Sequence, residues 1–179
     1  ARLRIEVFRD WPYLYDGDLD YERRYLRSYR ESDGAIVVGA FDEGVLVGAA
    51  TGTPRRDHAD EFGAAFARTG YDLDQIFYCA ESVLRPAYRG QGIGHRFFDL
   101  REQHARRLGA RYVAFCGVMR PPDHPLRPAD HRPLDRFWRK RGYEPLDDVL
   151  ATFRWKDVDQ PRETDKRLQF WIRELGPAQ

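Results

Sequence analysis

The chain has 179 residues, 42% hydrophobic and 14% aromatic, enough to bury a core despite 33% charged side chains. Thirty Lys and Arg against 29 Asp and Glu leave a formal net charge of +1, which argues against a general nucleic-acid binder. No apolar run approaches the roughly 20 residues needed to cross a bilayer and no signal-peptide pattern opens the chain, so a cytoplasmic protein without a membrane partner is expected.

Residues 3–8 alternate as a short strand, and residues 13–18 form an aromatic and acidic loop. Helical spacing follows over 19–29, with Tyr21, Tyr25 and Tyr29 on one stripe and Asp18 or Asp20 suited to the N-cap. Residues 35–41 and 45–51 read as a hairpin around Asp42, Glu43 and Gly44. A short helix is predicted over 60–68, closed by Gly70, and a strand over 76–84. An amphipathic helix runs from about Gly92 to Leu108, with Ile93, Phe97, Leu100, Ala105 and Leu108 on its apolar side and Gly109 as its stop. A strand over 112–118, a helix over 133–141 ended by Gly142, and two late strands over 149–155 and 167–172 complete the order. No linker or solenoid repeat interrupts it, so one mixed α/β domain over residues 1–179 is predicted. Cys79 and Cys116 lie in strand-like runs without metal-ligand spacing and read as small buried hydrophobes in a reducing compartment.

The informative stretch joins the strand over 76–84 to the long helix through Arg85, Pro86 and then Arg89, Gly90, Gln91, Gly92, Ile93 and Gly94. The first N–H groups of a helix have no intrahelical partners and carry the positive end of the dipole, so this turn suits an anion. Glycines let the backbone approach a phosphate closely because no Cβ intervenes. A dinucleotide fingerprint would need a third glycine where His95 stands, and a Walker A loop would need a lysine that this stretch lacks. A plain connecting turn is the remaining alternative.

With Arg89, Gly92 and Gly94 in the pattern Arg/Gln-x-x-Gly-x-Gly/Ala, the turn resembles the acyl-CoA motif of the GNAT superfamily of N-acetyltransferases, and the order of elements is similar over nearly the whole chain. The resemblance implies a central twisted mixed sheet of six or seven strands flanked by helices, with two parallel strands splayed at the acyl-CoA site. It implies that backbone groups of Gly90, Gln91, Gly92, Ile93, Gly94 and His95 cradle the pyrophosphate of acetyl-CoA, and that those of Ser82, Val83 and Leu84 pair with the pantetheine arm. The implied reaction is direct acetyl transfer to an amine of a small molecule, protein or peptide, without a covalent acyl-enzyme.

Glu81 is the only carboxylate in the strand over 76–84, about 10 Å along an extended chain from Leu84, and it is the candidate general base. The alternative is that it pairs with an arginine; all basic residues except Lys140, Lys156 and Lys166 are arginine. The Tyr that the family uses as general acid corresponds to Trp138, in Phe137-Trp138-Arg139-Lys140-Arg141-Gly142-Tyr143, and a frequent Asn corresponds to His131. An indole N–H is no practical proton source, which leaves solvent, Tyr143 or Cys116. Trp138 also supports an alternative function, a non-catalytic acyl-CoA-binding or sensor module. The Pro-rich stretch 120–133 repeats Asp-His at Asp123-His124 and Asp130-His131; it is read as a border of the acceptor pocket, with no metal expected. Trp11, Tyr13 and Tyr15 are candidates for the other wall, and Trp155 and Trp171 for the core or for a homodimer contact.

Overall fold

The computed structural model describes residues 1–54 and 61–176. Helices α1 (Arg2–Phe8), α2 (Leu19–Tyr25) and α3 (Arg27–Glu31) precede the hairpin of β1 (Ile36–Asp42) and β2 (Val45–Pro54). After α4 (Glu61–Phe66) come β3 (Ile76–Leu84), α5 (Ile93–Arg107), β4 (Tyr112–Val118), α6 (Asp135–Lys140), β5 (Glu144–Lys156) and β6 (Glu163–Glu174). The six strands form one sheet in the order β1-β2-β3-β4-β6-β5, antiparallel everywhere except between β3 and β4. The sheet is therefore mixed and six-stranded, as expected.

Each face of the sheet carries helices. On one side Phe77 and Cys79 of β3 and Val113 and Phe115 of β4 pack with Phe98 and Ala105 of α5, Trp171 and the fully buried Tyr143. On the other, Ile76, Tyr78, Ala114, Cys116 and Phe170 meet Phe62 and Phe66 of α4, while Val83 packs with Leu3 and Phe8 of α1. The β1–β2 turn has Glu43 at φ 47° and Gly44 at φ 81°, the double left-handed geometry that a tight hairpin needs.

Three expectations change. Residues 3–8 are helical, not extended: their alternation fits a strand, but α1 lies across the sheet and buries Leu3 and Phe8 against Val83. The helix expected over 19–29 is two helices parted at Leu26, and the tyrosine stripe divides, with Tyr21 half exposed and Tyr29 buried. The late strands are longer than expected; β5 starts at Glu144 and crosses an irregular stretch between Pro145 and Leu150, and β6 starts at Glu163. In the helix expected over 60–68, Asp60 lies outside the described residues.

Candidate active site

The β3–β4 ladder is short. It joins Ile76, Phe77 and Tyr78 to Tyr112, Val113 and Ala114 and then stops. Beyond it β3 pairs only with β2, whereas β4 continues against β6 to Val118. A wedge opens between the two strands, so the backbone groups of Ser82, Val83 and Leu84 that face β4 have no ladder partner on that side. Peptide-like hydrogen bonding by an extended ligand is what such an edge offers.

A bulge in β3 sets what points where. Thr51 faces Glu81 and Thr53 faces Tyr78, so Cys79 and Ala80 together oppose the single Gly52. The extra residue inverts the alternation. Before it, odd-numbered Phe77 and Cys79 face α5; after it, Ser82 faces α5 while Glu81 and Val83 face α1 and α2. The buried guanidinium of Arg101 on α5 fixes this arrangement, donating to the carbonyls of Thr51 (3.1 Å) and Glu81 (3.0 Å) and to Ser82 Oγ (2.8 Å).

At the open end of the wedge β3 passes through Pro86 into the glycine turn. Gly92 is the N-cap of α5 at φ 84° and Gly90 stands at φ 77°, both left-handed. A Cβ on either would meet nothing within 4 Å, so the space above the first turn of this 15-residue helix is open. No side chain caps that turn. Arg89 Nε donates to Leu84 O (3.1 Å) and Gln91 Nε2 to Ala87 O (3.1 Å), which curls the turn on itself. His95 is bridged to α6 by Arg141, which reaches both its ring and its carbonyl. Gly90 and Gly92 thus leave open the space over the first, uncapped turn of α5, where unpaired N–H groups favour an anion.

Glu81 sits on the far side of the bulge with a side chain 8% exposed. One carboxylate oxygen is ion-paired with Arg4 of α1; the other accepts from Tyr25 Oη at 3.1 Å. Arg4 is also ion-paired with Glu22 of α2, which is wholly buried. Its guanidinium lies 4.7 Å from the centre of the Tyr25 ring and 5.1 Å from that of Phe8. Tyr25 and Tyr29 bring their hydroxyls within 3.0 Å of each other. Burial and then the nearby Glu81 charge raise the pKa of both phenols, so both stay protonated at neutral pH.

The aromatic loop is tied down. Arg120, just beyond β4, donates to the carbonyls of Pro12 and Tyr13 and makes a forked pair with Asp157 at 2.7 and 3.0 Å. Trp155 Nε1 donates to Tyr13 O, Val158 N to Leu14 O and Lys156 Nζ to Asp16. The rings of His124 and His131 flank Trp11 at 5.2 and 5.7 Å, which gives the repeated Asp-His pairs a packing role. A cleft of about 520 Å³ opens beside this strap, lined in part by Met119, Arg120, His124, Asp157 and Lys166. Asp18 caps α2 through Tyr21 N, and Asp16 and Asp20 are engaged by Lys156 and Arg23. Among the described residues no group of three or more His, Cys, Asp or Glu side chains is placed to hold a metal ion.

Each candidate acid packs on or within β4. Trp138 packs on Phe115 (4.9 Å) and Trp171 (5.0 Å) and lies over Gly117, where a Cβ would come within 2.9 Å of the indole. Tyr143 donates to buried Glu102 (2.9 Å) on the α5 side, away from Glu81. Cys116 shares a contact of 3.2 Å with Tyr78 Oη, and burial pushes its thiol up to about 12.

The acetyltransferase (GNAT) family profile matches residues 3–143. The chain belongs to the GNAT acetyltransferase family. No curated protein matches it in sequence. Its fold is similar to that of the ribosomal-protein-alanine N-acetyltransferase of Brucella melitensis, at 16% identity and TM-score 0.61 over 97% of this chain and 91% of that one. An aminoglycoside 6′-N-acetyltransferase complexed with coenzyme A gives 17% identity and TM-score 0.59 over 99% and 92%. The yncA protein of Salmonella typhimurium, solved with acetyl-CoA, gives 16% and 0.59 over 100% and 89%.

In this GNAT chain β3, which carries Glu81 and residues 82–84, leads directly into the turn and helix that carry residues 90–95. Three contributors carry no sequence signal: Arg4, Glu22 and Arg120 read as solvated charges. Only Arg101 left a trace, since it falls four residues after Phe97 on the face of α5 that turns to the sheet.

Proposed function

We propose that residues 1–179 act as one N-acetyltransferase domain that passes the acetyl group of acetyl-CoA to a primary amine in a ternary complex. The observation that carries this reading is the position of Glu81: the one carboxylate of β3, beside the unpaired stretch of the strand, on the face opposite the glycine turn's helix. Acetyl-CoA supplies an activated acyl carbon and a thiolate leaving group. Backbone N–H groups of Gly90, Gln91, Gly92, Ile93, Gly94 and His95 would hold its pyrophosphate, and the edge of β3 without a β4 partner at Ser82, Val83 and Leu84 its pantetheine arm. The same edge would offer an N–H to the thioester carbonyl.

An ammonium cannot attack, so a proton must leave the acceptor first. Glu81 takes it, directly or through one water. The new C–N bond forms as the C–S bond breaks, the nitrogen gives up a second proton, and the thiolate takes one up, so each turnover releases one proton net. A thiol with a pKa of about 8.5 can be protonated from solvent, and Trp138 is not required as an acid. The reaction belongs in the cytoplasm, where acetyl-CoA is available and buried Cys79 and Cys116 stay reduced.

The test is Glu81→Gln, assayed for thiol release from acetyl-CoA over a panel of small-molecule and peptide amines. Turnover should fall roughly 100-fold or more with CoA affinity nearly unchanged. Equal turnover removes Glu81 from the mechanism. One observation favours a second reading, a non-catalytic acyl-CoA sensor: both oxygens of Glu81 are already engaged, by Arg4 and Tyr25. CoA binding with no turnover on any amine would favour it.

A further inference from the structure

Glu81 is not held by its own strand. Its two oxygens are taken by side chains from the N-terminal helices, Arg4 of α1 and Tyr25 of α2, and Arg4 in turn is divided between Glu81 and Glu22. Two buried carboxylates therefore share one guanidinium, with relative side-chain exposures of 0% for Glu22, 8% for Glu81 and 13% for Arg4. The Phe8 and Tyr25 rings close over the guanidinium and keep water from screening the charges. Other groups facing Glu81 are the phenols of Tyr25, Tyr29 and Tyr13. At its main-chain carbonyl stands Arg101 of α5.

We infer that Arg4 and Glu22 are positioning residues for Glu81: through the shared guanidinium, the charge of Glu22 sets how strongly Arg4 holds the carboxylate at the wedge. Its consequence for turnover rests on Glu81 being the general base; the charge coupling itself does not. The geometry gives the signs. With Glu22 neutral, Arg4 belongs to Glu81 alone, and that carboxylate gives up its negative charge less readily. With Arg4 removed, two buried carboxylates face each other without a cation and Glu81 takes a proton more readily. A guanidinium suits this role because its planar fork can serve two carboxylates at once, which an ammonium does poorly.

The coupling is read directly by following the side-chain carboxyl of Glu81 by NMR in the full chain labelled with 13C-glutamate, its signal assigned with Glu81→Gln. Glu22→Gln should move the Glu81 titration to lower pH and Arg4→Met to higher pH, each on the order of one pH unit. Arg4→Lys keeps the charge and gives up the fork, so the titration should stay near that of the parent while kcat on an accepted amine falls about tenfold and KM for acetyl-CoA stays the same. Coincident Glu81 titrations in the parent and Glu22→Gln overturn the inference, and Glu22→Gln decides the matter alone if Arg4→Met does not fold. Full turnover by Glu81→Gln would instead overturn the general-base reading while the titrations still report the coupling.

Discussion

Arg101 on α5 donates to the carbonyl oxygen of Glu81 at 3.0 Å, reaching the strand just past its bulge. The contact ties the helix that starts at the glycine turn to the residue proposed as the general base. The same guanidinium reaches Thr51 O, Ser82 Oγ and Phe97 O. The bulge is therefore clamped, and with it the direction of Glu81.

Arg101→Met should cost about 3 kcal/mol of stability, because several buried acceptors lose their donor at roughly 1–3 kcal/mol each. Urea unfolding of the variant gives the figure. A loss under about 0.5 kcal/mol would mean that the bulge holds itself and that Arg101 is incidental.

Gly92→Val should leave the fold standing and weaken CoA. A left-handed φ costs a residue with a Cβ about 1–2 kcal/mol, and the added side chain would enter the open space over the first turn of α5. A tenfold or larger rise in the CoA dissociation constant, about 1.4 kcal/mol, is expected by calorimetry. Gly44→Val is the control: Gly44 has φ 81° and equally open surroundings in the β1–β2 turn, so it should show the same loss of stability with CoA binding intact. Unchanged binding by Gly92→Val would refute the cradle.

Asp157 makes the strap over the aromatic loop sensitive to acid. Burial alone would raise its pKa, but the hydrogen bonds and charge of Arg120, with Lys166 behind, hold it below the ordinary carboxylate range. A depressed carboxylate adds stability that is complete above the unfolded value of about 3.9 and is lost as pH falls through the folded value beneath it. Tryptophan fluorescence should therefore report loosening around Trp11 and Trp155 only below about pH 4. Asp157→Asn should abolish that acid step and cost about 3–5 kcal/mol at neutral pH by stranding two buried cations. An acid transition equal in parent and variant would assign it to other carboxylates.

What could be read in the sequence was what is local. The strand over 76–84, the turn from Arg89 to Gly94 and the helix behind it are set by composition and spacing within one continuous stretch, and they lie where expected. Asp18 was readable as a cap for the same reason. Residues 3–8 were not, because Leu3, Ile5 and Val7 fit a strand, while the helix is decided by Val83 some 80 residues away. A bulge leaves no mark in a run such as Ile76 to Leu84, so the face presented by Glu81 was invisible, and with it the partners Arg4 and Tyr25. Arg101 and Arg120 look like surface charge until backbone carbonyls from distant segments converge on them.

The strap over the aromatic loop has a consequence for how the protein is made. Tyr13 is fixed by Arg120 and Trp155, and Leu14 by Val158, across separations of 107, 142 and 144 residues. A nascent chain that has grown to residue 150 already holds both edges of the wedge and the glycine turn, yet its aromatic loop still has no Trp155 to dock on and Arg120 no Asp157. β3, β4 and the glycine turn come early on the ribosome; the strap waits for the end of β5 and the residues just after it.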